Sequence, residues 1–132
     1  MHTVEIIGGG LAGLALGLGL RARGVPVRII EAGKYPRHRV CGEFITGLDH
    51  DTRRELQLTD ILAGARQARG VLWSEPGRPS VRHDLPEVAL CLSRYHLDES
   101  MASAFAAAGG DLRTGCRGPS DAKPGRIMAS GR

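Results

Sequence analysis

The sequence predicts an α/β protein built around a parallel sheet, and three observations carry that prediction. Thr3 to Ile7 is a short β-branched, apolar run of the kind that forms a buried strand. Leu11 to Arg23 then places Leu11, Leu14, Ala15, Leu18 and Ala22 near helical spacing, and Gly24 supplies a stop. Val25 to Glu31 is a second apolar run, with Pro26 near its start and an acid at its end. Strand, helix and strand together span about 30 residues, the size of one βαβ unit, whose crossover makes the two strands parallel.

The remaining elements follow in order. Ala32 to Gly47 is polar, contains Pro and Gly, and reads as a loop. Asp49 to Ala65 carries Leu56, Leu58, Ile61 and Leu62 and predicts one or two short helices. Gly70 to Trp73 and Val81 to His83 read as strands flanking a turn at Glu75 to Pro79, and Val88 to Leu92 as another strand. Tyr95 to Ala108 predicts a helix with an apolar stripe of Leu97, Met101, Ala104, Phe105 and Ala108, ended by Gly109 and Gly110. Asp98 and Glu99 favour its first turn through the helix dipole. Asp111 to Cys116 predicts a further parallel strand. Residues 1–117 thus read as one nucleotide-binding unit, and 118–132 as an irregular tail or a truncated continuation, rich in Gly, Pro and Arg.

Composition excludes several classes. With 132 residues, 42% hydrophobic and 24% charged, the chain is globular and large enough for one core. Its net charge of +4 comes from scattered arginines; without a basic stripe or interleaved aromatics it argues against nucleic acid. The three cysteines (Cys41, Cys91 and Cys116) show no CxxC pair, which argues against a disulfide framework. None of the five histidines has HxxxH or HExxH spacing, so no metal site is expected. Glu5 and the glycines at 8–10 interrupt the apolar N-terminus, and the run Leu11 to Leu20 is too short to span a bilayer. The expectation is a cytoplasmic protein without a targeting segment.

Between the first strand and the first helix stands Gly8-x-Gly10-x-x-Gly13. Gly8 allows the tight turn, Gly10 lets backbone approach a pyrophosphate, and Gly13 lets the helix lie close to the sheet. The helix N-terminus offers free N–H groups and a partial positive charge to the anion. Seventeen residues separate Gly13 from Glu31, which puts a carboxylate beside the adenosine ribose. A carboxylate there repels a 2′-phosphate and disfavours NADP at this site. The pattern is that of a Rossmann-type FAD/NAD(P)-binding fold; FAD and NAD both remain open on these residues alone. Gly17 and Gly19, inside the helix, point to close packing.

Two further segments carry a resemblance. Tyr35-Pro36-Arg37-His38-Arg39-Val40-Cys41-Gly42-Glu43-Phe44 resembles the PR-x-(K/R)-x-CGE segment of geranylgeranyl reductase-like flavoproteins. These belong to a superfamily with aromatic-ring hydroxylases and flavin-dependent halogenases. Ser93-Arg94-Tyr95-His96-Leu97-Asp98 resembles the SR-x-x-LD segment of the same family, and all three motifs stand in family order over residues 3 to about 117.

The resemblance implies FAD as cofactor, NAD(P)H as electron donor, and reductase or monooxygenase chemistry on a small isoprenoid or aromatic molecule. Carried over by position, Ala12 lies against the pyrophosphate together with Gly8, Gly10 and Gly13. Glu31 binds the ribose, and Cys41 and Gly42 lie along FAD toward the flavin ring. Arg94 faces the pyrophosphate or ribityl region, and backbone after Cys116 meets the adenine edge. Read alone, Cys41 is a small buried hydrophobe, Arg94 a surface ion-pair partner, and Arg37 and Arg39 are solvated loop charges as readily as ligands. No side chain stands out as a general acid, base or nucleophile, so the catalytic residues are unknown.

The chain departs from the family after Cys116. Members carry an apolar residue at the position of Gly118 and more sheet beyond; here Pro119 follows. Ala129-Ser130-Gly131-Arg132 is similar to the small-residue strand end that precedes a Gly-Asp segment in the family, but that segment is absent. The resemblance therefore implies a fold incomplete at its C-terminus. Two alternatives stand beside the enzyme: a dinucleotide-binding fragment without turnover, and an NAD-binding module without flavin. Missing strands would also leave open edges, so self-association of the chain is expected.

Overall fold

The computed structural model describes residues 2–131. Met1 and Arg132, the outer ends of the two regions expected above, lie outside them. The βαβ unit forms as expected: β1 (Val4–Ile7), α1 (Leu11–Ala22) and β2 (Val27–Glu31). β1 and β2 are parallel, in the register Val4↔Val27 to Ile7↔Ile30. α4 (Arg94–Ala107) then leads into β6 (Asp111–Thr114), which pairs parallel with the outer side of β2.

Helices α1 and α4 bury the core against this sheet. Ile6, Leu14, Ile29 and Phe105 are completely buried, with Leu18 and Met101 nearly so. Gly17 is the point of closest approach. A Cβ there would stand 2.8 Å from Ile29 Cδ1 and 2.9 Å from Phe105 Cε2. At Gly19 the nearest atom is the end of the Leu56 side chain at 3.3 Å, which has room to give. Alanine favours a helix over glycine by about 1 kcal/mol, but forcing a methyl into a filled core costs about 1–3 kcal/mol. Gly17→Ala is therefore expected to lower stability by about 1 kcal/mol, and Gly19→Ala to leave it level or raise it. Urea denaturation of the two variants side by side checks this; a more stable Gly17→Ala would contradict the packing.

The four-stranded parallel sheet has the order β6-β2-β1-β7. Its last member, β7 (Arg126–Met128), lies in the tail where the sequence pattern predicts no strand. It pairs with β1 in the register Glu5↔Arg126 to Ile7↔Met128. The Arg126 guanidinium donates to Glu5 at 2.6 Å and to the Asp121 carboxylate at 2.7 Å, fastening the strand across the sheet. Three residues show no periodicity, and the partner that makes them a strand lies more than a hundred residues away.

A second sheet of three antiparallel strands has the order β3-β5-β4. β3 (Phe44–Ile45) is a two-residue strand inside the segment read as a loop. β4 (Arg66–Trp73) begins earlier than expected, and β5 (Val81–Cys91) joins two expected strands into one. Pro86 is tolerated within β5 because Leu85 to Val88 bulge opposite Arg69, where no regular pairing needs its N–H. The distal part of this hairpin is exposed on both faces, with Leu72 at 68% and Trp73 at 73% exposure. Between β3 and β4 in the chain come α2 (His50–Glu55) and α3 (Thr59–Leu62), within the expected helical region. Asp49 caps α2 by accepting the Thr52 N–H at 2.6 Å. No helix among the described residues is long and apolar enough to cross a membrane.

Candidate functional site

A cavity of about 680 Å³ opens where β1, β2 and β7 end and α1 begins. Ligands of open α/β sheets bind at this carboxyl end of the strands. Gly8, Gly10, Leu11 and Ala12 form one wall. Gly10 is the N-cap of α1 and no side chain caps the helix. The first-turn N–H groups are therefore left for a ligand, with the positive end of the helix dipole behind them. A Cβ on Gly10 would meet nothing within 4 Å, so the opening beside it is real space.

The other two glycines serve the backbone. Gly8 has φ +112°, and a Cβ there would lie 2.5–2.6 Å from the Ala129 and Ser130 backbone. The end of β7 thus passes directly over the glycine turn, held by the Ala129 N–H donating to the Ile7 carbonyl at 2.7 Å. Gly13 does not line the cavity; its Cβ would collide with the Gly8 carbonyl oxygen and come to 3.3 Å from Ile6 Cγ2.

Glu31, at the end of β2, is only 6% exposed. Its carboxylate accepts the N–H of Gly9 and of Gly33, each at 2.7 Å, and an Arg37 N–H at 2.7 Å. Burial by itself pushes this carboxyl up, but the Gly33 N–H, the Arg37 guanidinium and the Gly9 N–H together hold it below the usual glutamate value. The Tyr35 hydroxyl donates to the Gly9 carbonyl, so Gly9 is held at both its N–H and its carbonyl. Burial, then the Glu31 charge, pushes the Tyr35 phenol up, and it stays a donor.

A depressed carboxyl in the folded state adds stability while it is ionised. That contribution is complete above the unfolded glutamate value of about 4.3 and is lost as pH falls through the lower folded value. Glu31→Gln is accordingly expected to be less stable than wild type at neutral pH, with the gap closing under acid. Thermal midpoints of both proteins from pH 7 to pH 3 (about one-unit steps) read this directly; a gap independent of pH would show that Glu31 stabilises by shape alone.

Arg37, Arg39 and Arg94 line the same cavity. The structure thus answers the two readings of Arg37 and Arg39: they are cavity-wall residues, not freely solvated. Arg94 forms a partly buried ion pair with Asp98, which lifts its guanidinium further above the ordinary value. Its backbone N–H donates to Glu43 at 3.1 Å, tying the segment that follows Cys41 and Gly42 to the start of α4. Cys41 is exposed rather than a buried hydrophobe, and neither it nor Gly42 lines the cavity. Arg117, Gly118 and Ser130 line it too; the resemblance implies backbone contact just after Cys116 but no side-chain role at these three positions. Arg117 carried no signal beyond its charge. Ser130 reaches the site only through the pairing of β7.

The sheet, the glycine turn at its carboxyl end and the uncapped helix define a Rossmann-type FAD/NAD(P)-binding fold. Solved structures share it. A flavoprotein/dehydrogenase from Cytophaga hutchinsonii superposes with a TM-score of 0.72 at 24% identity, over 92% of this chain and 32% of its own. A 2-methyl-3-hydroxypyridine-5-carboxylic acid oxygenase gives 0.72 at 23% identity, over 87% and 32%. The myxobacterial chondrochloren halogenase, described as FAD-dependent, gives 0.68 at 24%, over 87% and 29%. Among curated proteins, conditioned medium factor receptor 1 of Dictyostelium discoideum is 27% identical over 127 residues, covering 86% of this chain and 25% of that protein. No protein-family model matches. The chain therefore spans about a third or less of the proteins it resembles.

Proposed function

We propose that this chain is the FAD-binding part of a flavin-dependent oxidoreductase, within the group that joins geranylgeranyl reductase-like flavoproteins, aromatic-ring hydroxylases and flavin halogenases. The observation that carries the reading is the uncapped N-terminus of α1, with Gly10 open to the cavity and three guanidiniums in its wall. A dinucleotide needs a pyrophosphate site of this kind, and the α1 N–H groups with Arg94 would hold it. Glu31 would stand at the ribose end, beside Arg37. FAD, when bound, would supply hydride and oxygen chemistry; the α1 N–H groups, Arg94 and Glu31 would bind and orient it. NAD(P)H would be the electron donor, and the substrate would be a small isoprenoid or aromatic molecule.

Titration of the 132-residue chain with FAD, and with NAD in parallel, tests this. A ligand that binds only the native state at a hundredfold excess over Kd adds about 2.7 kcal/mol of stability. FAD is expected to raise the melting temperature and to lose fluorescence on binding. A folded sample that neither ligand stabilises would remove the reading, and stabilisation by NAD alone would replace it with a flavin-free module. A second reading, a nucleotide-binding fragment without turnover, is favoured by one observation: the carboxylate that lines the cavity, Glu31, is already held by the Gly9 and Gly33 N–H groups and by Arg37.

A further inference from the structure

The cavity wall carries a ladder of alternating charge whose anchor does not line the cavity. Asp98, one turn into α4, is completely buried. Its two oxygens accept from Arg94 Nε at 2.7 Å and Arg94 Nη2 at 2.9 Å, a bidentate pair. Arg39 Nε lies 3.7 Å from the same carboxylate, and Arg39 Nη2 lies 3.9 Å from Glu31. Arg37 completes the row through its bond to Glu31. Three guanidiniums stand against two carboxylates, which leaves a net positive wall in the cavity that the start of α1 also lines. Arg37 and Arg39 each bury an Nε with no hydrogen-bond partner among the described residues.

A fully buried carboxylate is expensive, and an ion pair on its own rarely repays it. A bidentate pair does something else: it fixes the guanidinium plane. Arg94 spends two of its five donors on Asp98, and the fork is left with one orientation. Arg39, held by charge alone between Asp98 and Glu31, keeps its Nε–H without an acceptor of its own. Both cations are therefore aimed from a single buried point.

We propose that Asp98 is a positioning residue for the pyrophosphate, holding the Arg94 and Arg39 guanidiniums in the orientation that receives a diphosphate. The proposal rests on the nucleotide-binding reading above. It assigns Asp98 an effect on diphosphate ligands and none on ligands that lack phosphate.

The test uses ADP as the diphosphate probe and adenosine as the phosphate-free control, titrated calorimetrically into the 132-residue chain. Wild type, Asp98→Asn, Arg94→Ala and the double variant are compared. Asp98→Asn is expected to weaken ADP about tenfold, the size of a lost charge-assisted contact, with adenosine unchanged. In the Arg94→Ala background the Asn substitution should cost clearly less, because the bidentate partner is gone and only Arg39 is left for Asp98 to position. An equal loss in both backgrounds, or unchanged ADP affinity, would overturn the proposal while leaving the nucleotide reading intact. Wild type that binds no ADP would end both. If Asp98→Asn does not fold by circular dichroism, Arg94→Lys decides: it keeps the charge and loses the fork. Weakened ADP binding there supports the proposal, and wild-type binding overturns it.

Discussion

Gly10→Val is expected to abolish nucleotide binding while leaving the fold standing. The backbone at Gly10, φ −78° and ψ −174°, is extended and open to any residue. A Cβ there meets no protein atom within 4 Å. The cost to the fold is that of a poorer N-cap, about 1 kcal/mol or less. The cost to the ligand is much larger, because the added methyl groups occupy the space above the first N–H groups of α1. Replacing contact between backbone and pyrophosphate by a clash should raise the Kd for FAD by about a hundredfold or more, some 3 kcal/mol. Thermal unfolding without ligand, then with saturating FAD, separates the two effects. A variant that unfolds near the wild-type temperature but no longer responds to FAD is the expected result. Retained FAD stabilisation would place the ligand elsewhere.

Gly8→Ala should show the opposite pattern, a broken fold. Two independent costs fall on one methyl group. At φ +112° an L-residue is strained by about 1–3 kcal/mol. The methyl must also enter space held by backbone: the Ala129 carbonyl carbon at 2.5 Å and Ser130 Cα at 2.6 Å. Backbone gives way less readily than a side-chain end, and overpacking of this kind costs about 1–3 kcal/mol more. Together the loss is about 3–5 kcal/mol, a large share of the stability of a domain this size. Because the clash lies on the end of β7, hydrogen exchange should accelerate first at Ile127 to Ala129. Wild-type stability in chemical denaturation would mean that β7 does not cross the glycine turn as described.

These two glycines stand two residues apart in one motif, and the motif alone does not separate their roles. Its spacing is legible because each glycine meets a local demand: strand exit, helix start, close helix-to-sheet approach. The demand on Gly8 has a second source in Ala129 and Ser130, beyond the range of any local pattern. The same distinction runs through the site. Arg94 and Asp98 lie four apart on one helix, so their pairing could be anticipated from spacing. Arg39 joins them only because the loop after β2 folds back toward α4.

The βαβ unit, the glycine turn, the acid at the end of β2 and the long α4 are legible in the residues themselves, since each rests on periodicity or on residues close in the chain. Tertiary structure alone decided that a three-residue run in the tail becomes the fourth strand, fastened by Arg126 to Glu5 across the sheet. It also decided that Glu31 is buried under two N–H groups and a guanidinium, and that Arg37 and Arg39 form a wall. The physical reason is common to all three. Hydrogen bonds and ion pairs between distant segments leave no periodic trace, and a short polar stretch becomes ordered only when its partners are in place.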